Sequence, residues 1–146
     1  MAIKVVVARA HEEQLKDPEL LKEVKSIEQE INRVSLDYQD NTVNFVFIQG
    51  MYTHSERKMN TVCLFVNKMD KPLSEIHGEL RLQFTEKSAL IASAKLDFDQ
   101  EFLGSVGVDE ALLFHINIPV RGLEEDEVFD FSGIKGAFEN VQVAFS

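Results

Sequence analysis

The residues of this chain best suited to chemistry are its histidines and the carboxylates near them. The histidines lie at positions 11, 54, 77 and 115, so they do not form the H-x-x-x-H or H-x-H spacing of a zinc motif. Hydroxyl, imidazole and carboxylate groups come together within residues 51–56, but no G-x-S-x-G sequence places a nucleophile. We therefore interpret residues 51–56 as a polar turn and predict no catalytic residue, with a hydrolase of unrecognised type as the alternative.

Two aspartates, Asp97 and Asp99, resemble the first ligands of a calcium-binding loop. Phenylalanine and valine, however, occupy the positions at which an EF-hand has its glycine and its bidentate glutamate, which excludes that motif. A calcium site in which Asp109 or Glu110 joins the two aspartates is an alternative to a solvated strand end. We predict neither a metal nor another cofactor.

The charge of the chain narrows the kind of partner. Its 146 residues fit one domain, and 25 acidic residues against 15 basic ones give a net charge of −10. Binding to nucleic acid or to an anionic membrane requires clustered basic residues, so the balance disfavours both. A protein is the partner class that we expect.

The single cysteine and the N-terminal residues bear on the cellular compartment. Because Cys63 is the only cysteine in the sequence, an internal disulfide is excluded. It lies in the apolar run Val62–Val66, which favours a buried side chain. The N-terminus does not resemble a signal peptide, and no apolar run has the length of a membrane span. We expect a cytoplasmic protein, or a cell-envelope one if the chain belongs to a larger exported protein.

One amphipathic helix is predicted near the N-terminus, after a short strand at residues 3–9. Asp17 is a suitable N-cap and Pro18 suits the first helical position. The residues that then repeat at helical spacing, and that predict a helix over 18–34 docked on the core, are Leu20, Val24, Ile27, Ile31 and Val34.

From residue 43 the apolar residues recur with a period of two, which indicates strands. Residues 43–50 and 61–67 are apolar on both faces, and the second segment is predicted to be a central strand. The alternating sets that follow are residues 76–84, 90–98 and 112–120, and the inward positions 141, 143 and 145 end the chain. This pattern predicts one domain of residues 1–146: a strand and helix in 1–36, and an antiparallel immunoglobulin-like β-sandwich in 43–146.

Two long loops are predicted between these strands, at residues 99–110 and 121–140. The second begins with the acidic run Glu124–Glu127, which we interpret as a solvated segment. It then carries four apolar side chains that we expect to pack on the rim of the sandwich, namely Phe129, Phe131, Ile134 and Phe138.

The segment 43–145 resembles the SLAP domain, the S-layer-associated domain of Bacillus-type bacteria. The matching features are a strand that ends in glycine and an aromatic residue, a hydrophobic strand that runs into Asn and Lys-Pro, and a set of short motifs after them. In this chain they are Phe47–Tyr52, Leu64–Leu73, Leu80–Leu82, Ile91–Phe98, Phe102–Val106, Leu113–Ile116 and Val141–Phe145. The resemblance implies a non-enzymatic bacterial module linked to the cell envelope or to export.

Together these observations predict a non-catalytic binding module of otherwise unknown function, with a self-associating structural domain, such as a homodimer, as the alternative. Loop position selects the candidate binding residues, because binding residues concentrate on loops that a rigid scaffold positions. They are Tyr52, His54 and Arg57 in the turn at 52–60, and Glu124, Glu125, Asp126 and Glu127 in the acidic run.

Overall fold

A computed structural model describes residues 3–34 and 37–145, except for the side chains of His11, Gln14 and Leu15. It consists mostly of β-strands in two sheets, as the sequence predicts. The strands are β1 (Lys4–Val7), β2 (Val43–Thr53), β3 (Lys58–Asn67), β4 (Leu73–Phe84), β5 (Leu90–Ile91), β6 (Ala94–Phe98), β7 (Glu110–Arg121), β8 (Glu127–Asp130) and β9 (Ile134–Phe145). The helices are a 3-10 helix (Arg9–Lys16), α1 (Pro18–Arg33) and α2 (Gln100–Leu103).

The larger sheet, sheet A, has the strand order β1–β7–β3–β2–β8, and β5 also pairs with the end of β7. The smaller sheet, sheet B, has the order β6–β4–β9. All of these pairs are antiparallel except β1 with β7, which is parallel. Because β1 joins sheet A, the sandwich includes residues from the N-terminal segment and does not begin at residue 43.

Phenylalanine side chains from both sheets fill the space between them. The ring of Phe65 on β3 lies 4.7 Å from that of Phe114 on β7 and 4.5 Å from that of Phe138 on β9, measured between centroids. Phe98 on β6 also packs on Phe65, at 6.2 Å. Contacts of this kind between rings of different sheets show that the two sheets pack face to face.

Helix α1 lies on the outer face of sheet A. The Oδ1 of Asp17 accepts a hydrogen bond from the backbone N–H of Glu19 at 3.0 Å, which satisfies one free donor of the first turn. The side chains that α1 buries, Val24, Ile27 and Ile31, pack with Leu64 and Leu113 of sheet A in a second core cluster. Burial of this stripe holds the helix on the sheet.

The segment 90–98 differs from the single strand that the sequence predicts. Its first part is β5, which pairs with β7 in sheet A, and its second part is β6, which pairs with β4 in sheet B. Since the chain passes from one sheet to the other here, the alternation does not describe one inward face. Leu90 is 70% exposed and Ala92 is exposed, whereas Leu96 is buried.

The two segments predicted to be long loops contain regular structure. Residues 99–110 include α2, and residues 121–140 include β8 and the start of β9. Phe129 and Ile134 are buried as expected, but Phe131 is 70% exposed in the turn between β8 and β9.

The predicted inward face at the end of β9 is only partly buried. Val143 lies opposite buried Ile76 of β4 and packs against the core between the sheets. Val141 and Phe145 are exposed large hydrophobic residues. The register between β4 and β9 shifts between His77 and Glu79, and Asn140 has a φ of 53° at this point. A β-bulge of this kind bends the strand and changes which side chains face the core.

Candidate functional site

The pairing of β2 with β8 brings together the two segments that the sequence singles out. Tyr52 on β2 lies opposite Glu127 on β8. The hydroxyl of Tyr52 is 3.0 Å from Nδ1 of His54, and the backbone N–H of His54 donates to Oδ1 of Asp126 at 2.7 Å. Residues 52–57 and 124–127 therefore form one corner of the sandwich.

The contacts within this corner are structural. Tyr52 is 2% exposed, so the side chain that holds His54 is part of the core. Asp126 caps a backbone amide, and Oε2 of Glu127 is 3.2 Å from Nζ of Lys87. These bonds fix the turn against the end of β8, which gives Tyr52, His54, Asp126 and Glu127 a positioning role.

The remaining predicted residues of the corner face solvent. Arg57 is exposed, has a φ of 53° and accepts a hydrogen bond at its carbonyl from the N–H of Val120 at 3.0 Å. Glu124 and Glu125 are exposed on the segment that leads into β8. They add negative charge to the surface beside the edge of sheet A.

Next to this corner lies an apolar surface that sequence reasoning missed. Met51 on β2 and Val128 on β8 are cross-strand partners, and they are 51% and 61% exposed. Asn60, opposite Met51 on β3, donates from Nδ2 to Oδ1 of Asn117 on β7 at 3.0 Å. Partners in an antiparallel ladder share a face. We call these four side chains, Met51, Asn60, Asn117 and Val128, the open half of the outer face of sheet A.

Strand β8 ends sheet A beside this surface. It has four residues, and within residues 3–34 and 37–145 no strand pairs with its outer side. An edge strand presents unpaired backbone N–H and C=O groups. The alternation in residues 127–130, where Phe129 is buried between exposed neighbours, is the signal in the sequence that would have located both β8 and Val128.

A histidine with two carboxylate partners lies on the outer face of sheet B. Nε2 of His77 is 3.0 Å from Oε1 of Glu75, and Nδ1 is 3.0 Å from Oδ1 of Asp97. The hydrogen bond with Glu75, followed by the one with Asp97, raises the pKa of His77 above its usual value. This geometry favours the charged imidazolium as a link between β4 and β6.

The carboxylates considered for calcium have separate partners. Asp97 contacts His77, and Asp99 caps α2 by accepting from the N–H of Phe102 at 2.9 Å. Oδ1 of Asp109 is 2.7 Å from Nζ of Lys68, and Oε1 of Glu110 accepts from the N–H of Gly107 at 2.6 Å. In the part of the chain that the structure describes, no three His, Cys, Asp or Glu side chains are arranged to hold a metal ion.

Cys63 lies on the inner side of β3 and is fully buried. Burial raises the pKa of its thiol to about 12, against a small opposing effect of the hydrogen bond to Thr61. A thiol in this environment stays protonated, so it fills space in the core and does not act as a nucleophile.

Comparisons with known proteins give no match to a protein-family model, to a curated protein or to a solved structure. Among the described residues, no helix has both the length and the apolar character needed to cross a membrane.

Proposed function

We propose that this chain is a non-catalytic module that binds another protein through the open half of sheet A and the adjacent edge of β8. The observation that carries the proposal is the exposed pair Met51 and Val128 at the end of the sheet. A pair of apolar side chains beside an unpaired strand offers both a hydrophobic contact and backbone hydrogen bonds.

The proposed architecture is immunoglobulin-like. The strands β2, β3 and β7 are neighbours in sheet A, while β4, which follows β3 in the chain, belongs to sheet B with β9. This exchange of strands between two layers that are antiparallel except for β1 supports the immunoglobulin-like assignment. Domains of this class commonly serve recognition, although fold alone does not identify a partner.

The resemblance to the SLAP domain supports the same kind of function. It favours a module associated with the bacterial cell envelope or with export, either as a cytoplasmic component or as a part of a larger exported protein. Three of the seven segments behind the resemblance, Phe47–Tyr52, Leu64–Leu73 and Leu113–Ile116, begin in β2, β3 and β7, which belong to the sheet that carries the proposed surface.

Charge restricts the chemistry of the partner. The surface beside β8 carries exposed Glu124, Glu125, Asp126 and Asp130, and the whole chain has a net charge of −10. A protein surface with apolar side chains and flanking lysines or arginines complements this arrangement. Nucleic acid is negatively charged like the chain itself, so it does not complement this surface.

The test is capture of envelope proteins by the immobilised chain, compared among three variants. Met51→Lys and Val128→Lys put a charge in the proposed contact and should abolish capture of the partner. Leu90→Lys is the matched control, since Leu90 is also an exposed apolar residue but lies on β5, which pairs with β7, and β3 and β2 separate β7 from β8 in the sheet. Equal capture of the same protein by all three variants would refute the proposed surface.

A further inference from the structure

Strand β9 is the longest edge strand that ends a sheet in the described part of the chain. It has 12 residues and pairs with β4 on one side, and no strand among residues 3–34 and 37–145 pairs with its other side. The ends of sheet A are short by comparison, because β1 and β8 have four residues each. A long edge strand is a template on which a further strand can form a ladder.

The charges on β9 are arranged for pairing with an identical strand. Lys135 and Glu139 are both exposed and lie four positions apart, so they share the outer face of sheet B with Ala137 midway between them. If two β9 strands run antiparallel about a twofold axis at Ala137, Lys135 of each copy lies opposite Glu139 of the other. An axis at Lys135 or at Glu139 would instead place identical charges opposite each other, which destabilises a strand pair.

The regular part of the strand contains both charged positions. The ladder with β4 is continuous from Ile134 to Glu139, and the bulge follows at Asn140. An axis at Ala137 pairs Ile134 of one copy with Asn140 of the other. The pairing that the charges favour therefore spans the segment before the bulge and ends where the strand bends.

We propose that two copies of this chain form a symmetric dimer in which the segments Ile134–Asn140 of β9 pair antiparallel about Ala137. The two copies of sheet B then form one continuous sheet of six strands. The proposed interface lies on β9 of sheet B, whereas the proposed binding surface lies on β2 and β8 of sheet A, so dimerisation and partner binding can be measured separately. A second copy is favoured over an unrelated peptide because β9 complements its own charge pattern.

The sharpest test uses two charge variants, alone and mixed, in sedimentation experiments over a wide range of protein concentration. Lys135→Glu places Glu opposite Glu at both ends of the interface, and Glu139→Lys places Lys opposite Lys. Each variant alone should dimerise more weakly than the wild type by roughly tenfold or more. A mixture of the two restores both opposite-charge contacts, so it should form a heterodimer of about wild-type affinity.

Two features make this result specific. Both variants remain strongly acidic overall, so general attraction between them does not explain a heterodimer. Lys95→Glu makes the same charge change on β6, the opposite edge of sheet B, and should leave dimerisation unchanged. Glu139→Lys also removes the 3.2 Å contact between Glu139 and Arg81, whose side chains are about half exposed, so its circular dichroism spectrum should still match that of the wild type.

A cysteine at the axis tests the register directly. Opposite residues in an antiparallel pair have Cα atoms about 4.5–5.5 Å apart, which is within disulfide range. Ala137→Cys should therefore give a covalent dimer under mild oxidation, whereas Ala92→Cys, also exposed but outside β9, should not. A wild-type protein that stays monomeric, or a dimer that is insensitive to the charge variants and is not trapped by Ala137→Cys, would overturn the proposal.

Discussion

The two halves of the outer face of sheet A differ in what covers them. In the covered half, Leu64, Val66 and Leu113 pack under α1 and are inaccessible to solvent or nearly so. In the open half, Asn117 and Asn60 lie on β7 and β3, and beside them Met51 and Val128 on β2 and β8 are exposed to solvent. The N-terminal part of α1 lies nearest the mixed half, since Oε1 of Glu23 is 2.7 Å from Nε2 of His115 on β7. Residue types along a single sheet thus separate a buried surface from a solvent-exposed one.

Side chains of α1 also form hydrogen bonds with backbone groups of β1 and of Ile3 before it, at the outer edge of sheet A. Oδ1 of Asn32 accepts from the N–H of Ile3 at 2.8 Å, and its Nδ2 donates to the carbonyl of Ile3 at 2.9 Å. Oε1 of Glu28 accepts from the N–H of Val5 at 2.7 Å. The helix thus takes the place of a further strand beside β1, whereas β8 at the other end of the sheet has no such partner in the described chain.

The largest expected difference between the two halves is in how much their side chains contribute to the free energy of unfolding. Leu64→Ala removes a fully buried side chain under α1 and should lower the free energy of unfolding by about 2–5 kcal/mol. Val128→Ala on the open half should change it by less than about 0.5 kcal/mol. Denaturant titration of both variants measures the contrast, and similar losses would show that the open half is part of the folding core.

The second prediction concerns the hydrogen bonds by which α1 covers the edge of sheet A at β1. Asn32→Ala leaves the N–H and C=O of Ile3 without their side-chain partner and should cost about 1–3 kcal/mol in unfolding free energy. Hydrogen exchange at Ile3 should accelerate in the same variant. Arg33→Ala is the neighbouring control, because it removes only a solvent-exposed ion pair with Glu30. Equal losses in the two variants would show that the bonds to β1 contribute nothing of their own.

The covered half is the part of this comparison that sequence reasoning can predict. Periodicity identifies Val24, Ile27 and Ile31 as the buried stripe of α1, and Asp17 with Pro18 marks its start. Val34, the last position of the predicted stripe, is instead the C-cap of the helix and is 37% exposed. The apolar strand β3 is central as expected, with β7 and β2 on its two sides. These features depend on neighbours in the sequence, which local patterns describe well.

The open half and the edges were not predictable in the same way. Met51 acquires Val128 as a neighbour only through a pairing across more than 70 positions of the chain, and a four-residue strand such as β8 gives a weak pattern. The bulge at Asn140 shifts the inward positions of β9 from even-numbered residues such as Phe138 to odd-numbered ones such as Val143, so β9 does not alternate as one continuous strand. The contact between Asp126 and His54 likewise depends on tertiary pairing, although both residues were candidates from the sequence.

The outer face of sheet B offers a third surface, which is covered by charge and not by a helix. Its polar side chains include His77 with Glu75 and Asp97, and Arg81 with Glu79 and Glu139. Since these groups are partly exposed, each contact stabilises the fold only modestly. Sheet B needs no helical cover because its outer side chains remain well solvated.

The smallest expected effect is the pH dependence of this charged face. The raised pKa of folded His77 means that its stabilising contribution is fully present below the unfolded pKa of about 6.5 and is lost as the pH rises through the folded value. The difference in unfolding free energy between the wild type and His77→Gln should be a few tenths of a kcal/mol near pH 5.5 and should shrink toward zero as the pH rises through the raised folded pKa of His77. The double variant Glu75→Gln/Asp97→Asn keeps the imidazole but removes both acceptors, so it should lose the same dependence. If the wild type and His77→Gln differ by a constant amount across this range, the imidazolium does not link β4 to β6, and packing alone holds that edge of sheet B.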